Sequence, residues 1–278
     1  MELVVLDKRI HDLIDENAVI EKLDTGFVFV EGPVYLNGTY YFTDFQVDKI
    51  FTYKDGVTTL IDDKSDFSIG MTYDRKRDRI LRATRNQRAI TTLDNKIVCN
   101  NYKGIPINGS NDVIVDSKGR IYFSDPIPSP PRELPEPKMG HPSTFMYDVD
   151  KDEMILIDKT LDRPNGLALS PDEKYLYIDC TTTSTVHRVD IQSLEMELFV
   201  QFDESYGPGR CDGMRVDKEG NLYVTGPGGV WLVAADATIL GLIKTPEPTA
   251  NLCFDDCGLF LTASTSIYRV DTKIPSAV

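Results

Sequence analysis

Six positions, Glu31, Gly70, Asn111, Asn165, Asp212 and Asn251, each stand just ahead of or within the start of an apolar segment. Five of the six carry a side-chain oxygen; Gly70 has none, although Ser68 is close by. Brought to one axis, the carboxylates of Glu31 and Asp212 would repel, and one would have to hold a proton. A hard divalent cation removes that conflict. Carboxylate and amide oxygens suit Ca²⁺, Mg²⁺ or Mn²⁺. The set has no His or Cys, which argues against a soft-ligand zinc site but leaves zinc on oxygen ligands open. Asn and Asp are also good turn residues at strand starts. That simpler account covers Asn251 well and Glu31 poorly.

The elements that would gather these residues form a repeat. Segments 33–43, 71–83, 113–124, 167–179, 214–225 and 252–262 share one form. Each has an apolar strand, a turn rich in Asp, Gly, Asn or Lys, and a second, often aromatic strand. Aligned on that second strand, Tyr41, Leu81, Tyr122, Tyr177, Tyr223 and Phe260 are 40, 41, 55, 46 and 37 residues apart. Further two-stranded patterns follow at 50–61, 89–98, 145–157, 186–202 and 230–243. A period of about 40–45 with four strands per unit indicates a propeller. The expectation is therefore all-β: a six-bladed β-propeller of four antiparallel strands per blade, a single domain over 1–278. A smaller sandwich with extra strands is the competing architecture.

The sixth copy ends short, so segment 19–23 is expected to supply its outer strand and close the ring. Residues 7–17 read as a short helix or loop. In a propeller the first strand of each blade lines the central channel, so the six polar positions would circle its mouth. Segment 126–142 holds seven prolines in seventeen residues and cannot pair in a sheet. It is expected as a rigid loop over the channel face, either a binding loop or a solvated decoration.

Composition narrows the partners. With 30 Lys and Arg against 44 Asp and Glu, the net charge is −14. That argues against nucleic acid and against an anionic membrane surface. No apolar run approaches the roughly 20 residues of a membrane span. The first residues mix acids and bases and do not read as a signal peptide. Five scattered cysteines read as reduced thiols in a cytoplasmic protein. Cys253 and Cys257 lack the further ligands of a zinc cluster.

Other reactive residues have plainer readings. His187 reads as a strand residue on a blade face, and His11 as surface. Ser110 lacks a nucleophile elbow. Cys211 has no histidine nearby in sequence and reads as buried. His141, in the proline-rich loop, could touch a substrate.

The same segments resemble the gluconolactonase family that includes regucalcin. The motifs are Glu31-Gly32-Pro33-Val34-Tyr35, Ser110-Asn111-Asp112-Val113, Arg163-Pro164-Asn165-Gly166 and Cys211-Asp212-Gly213-Met214. The later stretch Pro248-Thr249-Ala250-Asn251-Leu252 is similar too. The resemblance implies a six-bladed propeller with one divalent cation in the axial channel. Calcium is the first expectation, with zinc, magnesium or manganese as alternatives. By motif, Glu31, Asn165 and Asp212 would be the metal ligands, and Asn111 would lie beside the ion. Animal aldonolactonases of the family carry an arginine two residues before the matching asparagine; here that place holds Gly109. Arg132 or Arg210 would have to substitute. Asn111, Asp112, Arg132, His141 and Arg210 are the expected substrate-binding residues.

The function implied is metal-assisted opening of a sugar-acid lactone, with a small molecule as the partner of a monomer or small homo-oligomer. The ion would act as Lewis acid, and Asp212 would take the attacking water's proton or serve purely as a ligand. Two alternatives keep the fold: a calcium-dependent organophosphate hydrolase, and a non-catalytic metal-binding propeller.

Overall fold

Tight turns form where the sequence places Asn-Gly or Asp-Gly. Asn37 and Gly38 have φ of 50° and 75°, and Asp55 and Gly56 have 49° and 81°. Two consecutive left-handed residues give the hairpin turn whose twist matches that of the flanking strands. In the third and fifth blades an aspartate builds the turn instead. Asp116 Oδ1 accepts from the N–H of Lys118 and Arg120 at 3.0 and 2.8 Å, and Asp217 Oδ1 from Glu219 and Asn221 at 2.9 Å each.

The computed structural model describes residues 2–128 and 139–277. In it these hairpins assemble six antiparallel sheets into a propeller ring. From the axis outward, the first blade is Val30–Leu36, Thr39–Asp44, Lys49–Lys54 and Val57–Asp62. The second is Ser68–Asp74, Arg79–Thr84, Ala89–Thr92 and Ile97–Cys99. The third is Val113–Val115, Arg120–Asp125, Ser143–Asp148 and Glu153–Asp158. The fourth is Pro164–Leu169, Tyr175–Cys180, Thr185–Asp190 and Met196–Gln201. The fifth is Met214–Val216, Leu222–Gly226, Gly229–Val233 and Ile239–Lys244.

The sixth blade takes Thr249–Phe254, Gly258–Ala263 and Ser266–Asp271 from the C-terminal part, and its outer strand is Glu21–Thr25. Closure by an N-terminal strand is as expected, two residues later than 19–23. A short helix, Ile10–Leu13, lies within 7–17. Two elements were not foreseen. Glu2–Val5 pairs with Ile239–Lys244 and gives the fifth blade a fifth strand. A small hairpin, Asn101–Tyr102 with Ile105–Pro106, follows the second blade. Among the described residues no helix is long and apolar enough to cross a membrane. All five cysteines are free thiols.

Blade faces pack on one another through apolar side chains. Trp231, in the third strand of the fifth blade, is 1% exposed. Its ring stacks on Phe202 at 5.0 Å, meets Tyr206 edge-on at 4.9 Å, and donates Nε1–H to Pro227 O at 3.0 Å. Phe202 and Tyr206 belong to the connection that delivers Asp212 to the axis, so this cluster ties that connection to a rigid sheet. Truncating a buried aromatic of this size costs about 3–5 kcal/mol. Trp231→Ala should lower the unfolding free energy by about that much in denaturant titration. A loss under about 1 kcal/mol would mean the connection is anchored elsewhere.

Candidate active site

The register identifies which residues share a level around the axis. Opposite the aligned second-strand residues stand Val34, Thr72, Ile114, Ala168, Arg215 and Cys253. Moving equally far back along each inner strand reaches Glu31, Ile69, Asn111, Asn165, Asp212 and Ala250. The mouth ring is therefore tighter than expected. Gly70 and Asn251 sit one residue deeper, and the mouth places in those two blades are taken by the apolar Ile69 and Ala250. The next level down holds Gly32, Gly70, Asp112, Gly166, Gly213 and Asn251.

That glycine-rich level brings the inner strands together. A Cβ on Gly213 would lie 2.2 Å from Asn251 Oδ1, and one on Gly166 would lie 2.1 Å from Asp212 O. Strand-to-strand bonds cross here, from Gly70 N to Asn111 O and from Gly213 N to Ala250 O, both at 2.8 Å. Asp112 and Asn251 supply the only side chains beyond hydrogen at this level.

Side chains from the second strands fix the segments that enter the axis. Asp44 accepts from the N–H of Val28 and Phe29 at 2.9 Å each, just ahead of Glu31. Asp125 accepts from Asn108 N at 2.7 Å and Gly109 N at 2.8 Å, just ahead of Asn111. Burial pushes the Asp125 carboxyl up to about 7. In the fourth blade, Asp179 Oδ2 accepts from Gly166 N at 3.0 Å and Thr181 N donates to Arg163 O at 3.1 Å.

At the axis, Glu31 Oε2 accepts from Gly32 N at 2.7 Å and from Asn251 Nδ2 at 3.1 Å. Asp212 Oδ1 accepts from Asn165 Nδ2 at 2.6 Å, and the same amide donates to Thr181 Oγ1 at 3.0 Å. Burial raises Glu31 to about 7, with the charge of Asp112 adding to it. Burial and then the Glu31 charge raise Asp212 well above the usual carboxylate range. Asp112 is raised by burial, partly offset by the Arg215 guanidinium, whose Nη1 lies 3.9 Å from its Oδ2.

Asp212 also lines a cleft of about 430 Å³ at the channel mouth. Phe29, Pro208, Pro248 and Ala250 form its apolar walls; Glu204 and Arg210 form its charged rim. Such a volume suits a small organic molecule.

The donor set is chemically suited to a hard cation: buried Glu31 and half-buried Asp212, the latter bonded by the Asn165 amide, are all oxygen donors once that amide turns over. Among the described residues, no three His, Cys, Asp or Glu side chains group so as to hold an ion. Any ion here would rest on the two carboxylates with Asn165 and backbone or water oxygens.

The remaining expected residues are dispersed. Asn111 lies on the mouth ring. Asp112 is 2% exposed and one level below it, capping Val113 N at 2.9 Å. Arg210 is exposed on the cleft rim, 3.3 Å from Glu204. His141 is half-buried at the third blade, with Ser143 Oγ 2.9 Å from Nδ1 and its own carbonyl accepting from Asn108 Nδ2 at 2.8 Å. Arg132 lies outside the described residues. Gly109, with φ of 136°, packs against Arg85, whose guanidinium lies over the Phe45 ring at 5.4 Å.

Two residues escaped the sequence reading. Glu204 belongs to a connection with no repeat to mark it. Asp179 could have been found: it breaks a column in which the other second strands place Thr43, Ala83, Ser124, Thr225 and Thr262.

Glu31 carries a stability consequence. Its carboxyl holds a proton up to about pH 7 when folded, but only to about 4.5 in the open chain. Between these values the folded state binds more protons, so stability falls as pH rises. In chelator, the melting temperature should drop from pH 5 to pH 7.5, and Glu31→Gln should flatten part of that drop. An identical pH profile for wild type and variant would contradict the assignment.

The chain resembles known proteins over most of its length. The sequence profile of the SMP-30/Gluconolactonase/LRE-like region matches residues 29–265. A gluconolactonase of Zymomonas mobilis is 37% identical over 199 residues, covering 66% of this chain and 55% of that protein. The chain thus spans about half the length of that sequence relative. A solved gluconolactonase from Xanthomonas campestris superposes with a TM-score of 0.90 at 24% identity, covering 98% of this chain and 95% of that one. The calcium-binding regucalcin of Agrobacterium tumefaciens superposes at 0.74 with 16% identity, covering 94% and 98%. At those identities the two structures speak for the fold. The profile match decides the family: this chain belongs to the SMP-30/gluconolactonase/LRE-like family.

Proposed function

We propose that this protein is a metal-dependent hydrolase that opens the lactone ring of a sugar acid. The observation that carries the reading is the pair of carboxylates at the axis, buried Glu31 and half-buried Asp212, the latter bonded to Asn165 on the same ring and lining a substrate-sized cleft. The gluconolactonase relative supports lactones as the substrate class.

Glu31, Asn165 and Asp212 would hold one divalent cation, calcium first among the candidates, which would supply Lewis-acid stabilisation of negative charge on the carbonyl oxygen. Asp212 reaches the cleft and is the group placed to accept a proton. As water adds to the carbonyl carbon, Asp212 takes its proton. As the ring C–O bond breaks, Asp212 returns that proton to the departing ring oxygen. The product is an open-chain hydroxy acid, and no separate leaving group departs. Asn111 and Asn165 orient polar atoms at the ring without adding charge. Arg210 would meet substrate hydroxyls from the rim, with His141 at the third blade and Arg132 further candidates. The apolar side of the cleft, Phe29 and Pro248, would cover the sugar's C–H face. Five free thiols support a cytoplasmic setting.

Removing a general base typically lowers the rate by about 10²–10⁴. Asp212→Asn should cut kcat for aldonolactone opening by at least about 100-fold while the protein remains folded, measured with a pH indicator. Wild-type protein, loaded with cation, should prefer aldonolactones to a phosphotriester. Inactivity on every lactone would defeat the reading.

A further inference from the structure

Asp179 is the one acid in the second-strand column that faces the inner strands. In the third and fifth blades the same place is held by a hydroxyl. Ser124 Oγ accepts from Asp112 N at 3.0 Å, and Thr225 Oγ1 accepts from Gly213 N at 2.9 Å. Thr43 and Thr262 use their hydroxyls on Ile69 O and Asn251 O at 3.2 and 3.1 Å. A neutral hydroxyl is thus sufficient to cap this part of an inner strand. Asp179 makes the equivalent bond to Gly166 N with Oδ2 alone. Its Oδ1 is buried with no hydrogen-bond partner, and the residue is 0% exposed.

A buried, unpartnered carboxylate oxygen is costly where a threonine would serve. Its nearest charges make it more so: Asp212 and then Asp112 both oppose its ionisation. Such strain at a site is retained when function uses it. The position suggests the use. Gly166 directly follows Asn165, which in turn bonds Asp212. Among the described residues no three acids close on one point, and Asp179 is not proposed as a ligand. It stands behind the ligand layer.

Resting on the cation site proposed above, we propose that Asp179 is a positioning residue of the axial site: its second oxygen and its charge, beyond the bond to Gly166, raise affinity for a divalent cation at Glu31, Asn165 and Asp212. Groups behind metal ligands commonly change affinity about 10–100-fold when removed.

The test compares Asp179→Thr with Asp179→Ala. Threonine keeps a hydroxyl for Gly166 N, as Thr225 does for Gly213 N, but removes the charge and the free oxygen. Alanine removes both functions. Calorimetric titration of chelator-treated protein with Ca²⁺ gives the affinity, and melting without cation gives the stability. The expected result for Asp179→Thr is about 10–100-fold weaker Ca²⁺ binding with a cation-free melting temperature equal to or above wild type. Asp179→Ala should melt lower. Wild-type Ca²⁺ affinity in Asp179→Thr would overturn the inference, leaving Asp179 a strand cap. So would a lowered cation-free melting temperature in that variant. Wild-type protein that neither binds Ca²⁺ nor opens a lactone would instead defeat the proposed function, and this inference with it.

Discussion

Four carboxyl groups crowd one axis, Glu31, Asp112 and Asp179 buried and Asp212 half-buried at the cleft, and each is pushed toward its neutral form by loss of solvent. Their nearest cationic side chains are few: Arg215 approaches Asp112 at 3.9 Å, and Arg163 eases Asp212. Buried like charges cannot all ionise together without a compensating positive centre. Protons, or the proposed cation, would supply that compensation. On the proposed reading, a proton on Asp212 and a cation beside it are alternatives in one electrostatic balance.

The ring is what makes such crowding sustainable. Polar residues from distant parts of the sequence meet because each blade repeats one register, and the glycine level lets the inner strands approach without side chains between them. Carboxylates and hydroxyls on the second strands then fix each incoming segment by its backbone N–H or C=O groups. The connection bearing Asp212 has no strand of its own, and Trp231 packed on its Phe202 and Tyr206 gives it a wall. Geometry at the site thus depends on aromatic packing well away from the chemistry.

The propeller was legible because its signal is local and repeated six times: alternation within strands, turn residues between them. The closing strand was legible because the sixth copy lacked one. Glu2–Val5 was not, since its pairing with Ile239–Lys244 depends on an edge that only the folded fifth blade provides. At the site, Glu31, Asn111, Asn165 and Asp212 fell on one ring as read. Gly70 and Asn251 did not, because the hairpin between the first and second strands differs in length from blade to blade, as the pairs Thr72–Leu81 and Cys253–Phe260 show, so a count back from the second strand does not fix the mouth position. Asp179 was hidden for the opposite reason. It looks like an ordinary strand-end acid until its column of hydroxyl neighbours is aligned.

The proposed metal-dependent opening of a lactone at the axial acids can be tested without any substitution. The most direct measurement is the rate of opening of D-glucono-1,5-lactone above its spontaneous rate, first after exhaustive chelation and then after adding back Ca²⁺, Mg²⁺, Mn²⁺ or Zn²⁺ singly. The rate should be indistinguishable from the spontaneous one without metal and should recover with at least one oxygen-seeking cation. Full activity in chelated, metal-free protein would contradict it.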